Sequence, residues 1–165
     1  MALAVTHVLL TIIVVGLWRD YVTKHKRYFT LHTLLVAGVA GLLPDIDIPI
    51  GWILGFFGKS YELLVHGGIT HSALFGLIFL IPGFIFWYKK KHKIAVYFFV
   101  ICFGILFHLF LDCITGGYYH FFWPFYIGNH CITIIKAEFL AALDAIILLA
   151  WLYHEEVKHR ISDFI

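Results

Sequence analysis

A chain of 165 residues with a formal net charge of +2, 62% hydrophobic and only 13% charged residues has a mean hydropathy of +0.91. These values exclude a soluble enzyme or binding module. They leave room for a single membrane-embedded domain over residues 1–165, with no hydrophilic stretch long enough to fold as a second.

Five apolar segments predict an all-α, polytopic membrane protein. The first, Ala2–Trp18, has neither a positively charged start nor a small-residue cleavage site, so it reads as a retained span rather than a signal peptide. It carries His7 near one end. The second, Tyr28–Leu43, is short, which predicts a thinned bilayer or a helix opening into a polar cavity. It runs into LLPDIDIP, Leu42 to Pro49. Pro44 and Pro49 are expected to hold this stretch extended, where the i, i+2 spacing points Asp45 and Asp47 the same way. Two such carboxylates repel unless a cation neutralises them; a solvated turn is the other reading. The stretch from Asp47 to Ile69 includes a short apolar run expected to lie in the interface or to re-enter.

The third segment, Thr70–Tyr88, is entered through HGGITHS, His66 to Ser72. Gly67 and Gly68 let the chain fold back so that His66 and His71 approach one point, and Thr70 suits a helix N-cap. Pro82-Gly83 predicts a kink. In the fourth segment, Ile94–Thr115, His108 and Asp112 stand i, i+4 on one face. A carboxylate at such a depth costs ~2.5–3.5 kcal/mol on insertion scales. It therefore needs a partner, either a divalent cation shared with His108 or a private His–Asp hydrogen bond. The aromatic stretch Gly116–His130, with His120 and His130, reads as a headgroup-level anchor or a substrate-guiding lid. The fifth segment, Thr133–Tyr153, brings Glu138 as a candidate for the site and Asp144 as an interhelical hydrogen-bonding residue. Cys113 and Cys131 fall on one side and are open to pairing, whereas Cys102 reads as apolar filler.

Threading these segments back and forth sorts the charges. Arg19, Lys24, Lys26, Arg27, Lys89, Lys90, Lys91, Lys93, Lys158 and Arg160 share one side, leaving Lys59 and Lys136 for the other. The positive-inside rule makes the basic side cytoplasmic, with the N-terminus out and the C-terminus in. His7, Asp45, Asp47, His66, His71, His108 and Asp112 then meet at the outer end. Mixed imidazole and carboxylate donors suit one or two Zn²⁺ ions, with Mn²⁺ or another divalent metal as the alternative. Asp47 reads as an orienter of ligands or a general base.

The motifs resemble a family of bacterial and archaeal inner-membrane metal-dependent hydrolases typified by a LexA-regulated protein. The resemblance rests on Thr6-His7, LLPDIDIP, HGGITHS, the HLFLD…T run from His108 to Thr115, and Trp123 to Phe125, in order along most of the chain. Gly67 departs from the pattern, since members of that family often carry Arg there. The family in turn is similar to zinc-dependent phospholipase C and P1-type nucleases. That likeness implies metal ligation by Asp45, His66 or His71, His108 and Asp112, with His7 and Asp112 serving a second ion. The third-metal His…His-x-x-x-Glu set of those enzymes has no equivalent, because His154 and His159 belong to the basic side.

The depth of the site leads to an expected membrane-bound metal-dependent hydrolase of a lipid or lipid-linked substrate at the extracytoplasmic face, and the resemblance implies that the bond cleaved is a phosphoester. Nucleic acid is not expected as a substrate, because only Lys59 and Lys136 face that side. The alternative is a non-catalytic metal-binding membrane protein or an ion transporter. A transporter should carry polar residues along a path across the bilayer, whereas here they gather at one end. The oligomeric state stays open.

Overall fold

The computed structural model describes residues 3–23, 27–58, 66–116, 121–123, 125 and 131–159. Most of the aromatic stretch, with His120 and His130, lies outside them, as do Lys24, Lys26, Lys59 and Arg160. The described residues contain helices and turns and no strand, the economical solution where backbone groups cannot bond to water.

The first segment is α1 (Ala4–Leu17), which continues as a π-helix over Trp18–Thr23. α2 (Leu31–Ala40) begins where Thr33 Oγ1 accepts the Thr30 N–H at 3.2 Å, and a 3-10 turn, Pro44–Ile46, then leads into α3 (Asp47–Phe56). The expected extended backbone around the paired aspartates is not found. Leu43, Ile46 and Asp47 are all right-handed helical. Pro44 opens the 3-10 turn and Pro49 lies in the first turn of α3, positions where a missing N–H is tolerated. Asp45 and Asp47 therefore leave a helical backbone in different directions.

The third segment is broken into α4 (Ala73–Leu77) and α5 (Leu80–Tyr88). The break at Ile78-Phe79 falls one turn before Pro82, whose ring excludes the carbonyl four residues earlier from regular helix. Ser72, not Thr70, caps α4, accepting the Phe75 N–H at 3.2 Å. α6 (His92–Ile114) is unbroken, and α7 (Leu140–His159) starts later than the apolar run. Before it, the Ile134 and Ile135 N–H groups bond Ile114 O at 2.8 and 3.1 Å, so residues beyond Cys131 terminate α6 instead of opening α7.

Among the described residues, two helical stretches are long and apolar enough to cross a membrane, Ala4–Thr23 and His92–Ile114. A third is available if Leu31–Ala40 and Pro44–Phe56, bent by 57°, form one broken span. Ala73–Tyr88 is apolar but shorter. α7 falls outside this set because Asp144, Glu155 and Glu156 interrupt its apolar face.

Val15 of α1, Leu34 and Ala37 of α2, and Val96 and Val100 of α6 form the buried core, backed by Ile12, Tyr28 and Phe29. The bundle has two chemically distinct ends. At one, Arg19 is buried and bonds Asp20 at 2.7 Å, Glu155 at 3.3 Å and His159 at 2.7 Å. This ties the end of α1 to the end of α7. At the other end lie the start of α1, the end of α2 and the end of α6.

Cys113 and Cys131 form a disulfide with Cα atoms 4.8 Å apart, while Cys102 is free and buried. The bridge fastens the chain beyond residue 130 to the residue next to Asp112. Denatured but unreduced protein is expected to take up a single alkylating group, at Cys102, and reduced protein three. Intact-mass spectrometry reads this directly, and three groups before reduction would remove the bridge.

Candidate metal centre

α1 brings His7 in its first turns, and α6 brings His108 and Asp112 in its last. The turn after α2 brings Asp45, the start of α3 Asp47, and the turn before α4 His66 and His71. Gly67, at φ +88°, supplies the left-handed residue that folds His66 back over His71. Their ring centroids are 4.6 Å apart. The His7 and His108 rings stack at 3.7 Å, and the His71 ring meets His108 edge-on at 5.3 Å.

The donor atoms converge on a small volume. His7 Nε2 lies 3.4 Å from Asp112 Oδ1, and His108 Nε2 lies 3.2 Å from Asp112 Oδ2. Asp45 Oδ1 sits 3.4 Å from His71 Nε2 and 3.7 Å from His108 Nε2. Ligand atoms around a tetrahedral ion with bonds of about 2.1 Å stand about 3.4 Å apart. The observed spacings therefore suit donors arranged around an ion. His7, His108 and Asp112 form one such group, and Asp45, His66 and His71 a second.

An outer layer of contacts sets the tautomers. A backbone carbonyl only accepts, so His108 Nδ1 donates to Gly41 O at 2.7 Å and Nε2 carries the lone pair. That Nε2 is buried and makes no hydrogen bond among the described residues, and a lone pair facing the Asp112 and Asp45 carboxylates is costly unless something electrophilic lies between them. Asp47 plays the orienting part for the other pair. Its Oδ1 accepts from His66 Nδ1 at 3.1 Å, and its Oδ2 accepts from Thr70 Oγ1 at 3.0 Å and lies 3.4 Å from His71 Nδ1. Both imidazoles thus turn their Nε2 edges away from Asp47. The residues present fit a divalent cation.

Access is one-sided. The His7, Asp47, His71, His108 and Asp112 side chains are at most 2% exposed, whereas Asp45 is 20% and His66 29% exposed. Among the described residues, Asp45 and His66 form the exposed edge of the cluster. The glutamate expected near the site is elsewhere: Glu138 is exposed, with Lys136 Nζ 3.8 Å away. Three partners escaped the sequence reading. The Gly41 carbonyl is a backbone group with no signature. Thr70 reads as a cap, and Thr6 proves to hydrogen-bond Asp144.

Residues 1–162 match the family described as YdjM inner membrane protein. The chain belongs to this family. As a YdjM family member it is a membrane protein, in agreement with its apolar helices. The family description makes no mention of hydrolysis, zinc or lipid. No curated protein and no solved structure matches the chain.

Proposed function

We propose that this protein is a metal-dependent hydrolase of a lipid or lipid-linked phosphoester, working at the extracytoplasmic membrane face. The observation that carries the reading is the donor geometry. Imidazole Nε2 and carboxylate oxygens from four separate parts of the chain stand 3.2–3.7 Å apart, with outer contacts to Gly41 and Asp47 aiming them. His7, His108, Asp112, Asp45 and His71 would hold one or two Zn²⁺ ions, or Mn²⁺, with His66 completing the second group. A bound divalent metal polarises a phosphoryl oxygen and makes water a hydroxide donor near neutral pH.

The chain's own residues divide the remaining work. Asp45, at the open edge, would hold the metal through Oδ1 and leave Oδ2 to accept the proton given up by the attacking water. Asp47 is buried with both oxygens engaged, so of the roles open to it orientation of His66 and His71 is the one the geometry favours. The exposed side at Asp45 and His66 admits a headgroup. That exposure supports an open coordination position over a closed structural site with four protein ligands. Five crossings, with the N-terminus outside and the C-terminus in the cytoplasm, belong to the same proposal. They are supported by the collection of Arg19, Glu155 and His159 at the end opposite the cluster.

Protein in mixed micelles is expected to release the phosphorylated headgroup from a phospholipid, and the corresponding alcohol should remain in the micelle. Chelation should abolish turnover, and zinc or manganese should restore it. Asp45→Asn should lower the rate by ~10²–10⁴-fold, the range for losing a positioned proton acceptor. Wild-type protein that holds metal yet cleaves no phosphoester would return the site to a non-catalytic metal-binding role.

A further inference from the structure

The bundle carries a second feature, an apolar groove of about 670 Å³ between α1 and α7. Val8 and Ile12 of α1 line it opposite Ala141, Ala145 and Leu148 of α7, with Leu42 from the end of α2. Its size is that of a ligand site and its walls are hydrocarbon. One lining residue does not fit a plain lipid-facing crevice. Asp144 is only 6% exposed, and its Oδ2 accepts from Thr6 Oγ1 at 2.7 Å. Its Oδ1 is buried, with no hydrogen-bond partner among the described residues. A carboxyl oxygen left so in an apolar wall is costly unless a ligand meets it.

We infer that this groove binds the hydrocarbon chains of a hydroxyl-bearing lipid alcohol, with the hydroxyl on Asp144 Oδ1. A hydroxyl both donates and accepts, so it satisfies the carboxyl in either protonation state. Position supports the assignment. Asp144 stands about one turn inside the start of α7, and Thr6 precedes His7, so the polar end of the ligand lies at the level of the metal cluster. The choice of an alcohol rests on the proposed function, because cleaving a lipid phosphoester on the headgroup side leaves the lipid with a free hydroxyl. The groove is then the seat of the lipid product.

Equilibrium binding of dioctanoylglycerol to the metal-depleted full chain in detergent tests this without turnover. The reference ligand is propane-1,2-diol dioctanoate, which has the same chains and no hydroxyl. Wild type is expected to prefer dioctanoylglycerol by about tenfold, the order of one buried hydrogen bond. Asp144→Leu should erase the preference while still binding both compounds. Ala145→Trp, which fills the groove and leaves Asp144 in place, should weaken both by at least about tenfold. Protection of the buried Cys102 thiol from alkylation without denaturant checks that each variant is folded. Equal binding of the two ligands by wild type, or binding untouched by Ala145→Trp, overturns the inference. Because metal and hydrolysis play no part in the readout, a failed hydrolase assay leaves this result standing, and the converse holds.

Discussion

Asp112→Ala is expected to empty the metal centre. Wild-type protein purified in detergent should carry near-stoichiometric zinc or manganese by elemental mass spectrometry, and the variant less than about a hundredth of that affinity. The size follows from position. Asp112 faces two imidazoles with separate oxygens, 3.4 Å from His7 and 3.2 Å from His108. Its removal therefore takes a donor from the centre of the set rather than from its edge. It also takes the only negative charge in the His7–His108–Asp112 group. His108→Ala should behave alike. Asp47→Asn should be milder, about 10–100-fold in affinity, because it loosens the hold on His66 and His71 without removing a donor. A graded series of this kind separates a metal site from a helix-tying hydrogen-bond network, in which Asp47 and Asp112 would both affect stability and neither would affect metal. Wild type that contains no metal and refuses added zinc sinks the reading.

Much of this centre was legible because its key spacings are local. The i, i+4 pair His108–Asp112 needs only the helical period, and the fold-back of His66 over His71 needs only a glycine able to take positive φ. The segregation of basic residues anticipated which helix ends gather, and the link from Arg19 to Glu155 and His159 agrees with it. The paired aspartates were misjudged for a physical reason. In the sequence proline reads as a breaker on both sides, but a proline within the first turn of a helix removes no needed hydrogen bond. The backbone stays helical, Asp45 turns to His71 and His108, and Asp47 turns to His66 and Thr70. The contacts of His108 with Gly41 and of Thr6 with Asp144 were out of reach. They depend on which helices approach and how closely, and residue spacing within one helix says nothing about that.

That approach distance makes Gly104 the position where fold and site fail together. A Cβ on Gly104 would stand 2.6 Å from Ala40 Cβ, 3.0 Å from Ala40 C and 3.2 Å from Gly41 N. Two of those neighbours are backbone and have no side-chain rotation with which to yield. α2 and α6 must separate, and one turn along α6 is His108, whose Nδ1 bonds the carbonyl of the same Gly41. Gly104→Ala is thus expected to destabilise the folded protein by about 1–3 kcal/mol, the usual range for overpacking, and to lower metal retention as well. Ala40→Gly in the same chain should return only part of the loss, since it relieves the Cβ contact and leaves those with Ala40 C and Gly41 N. Gly51→Ala is the control for the change in backbone entropy, because a Cβ there meets nothing within 4 Å and the substitution favours helix. Thermal unfolding in detergent, run beside metal analysis on the same samples, reads both effects. If Gly104→Ala melts with Gly51→Ala and keeps its metal, the α2–α6 contact does not set the position of His108.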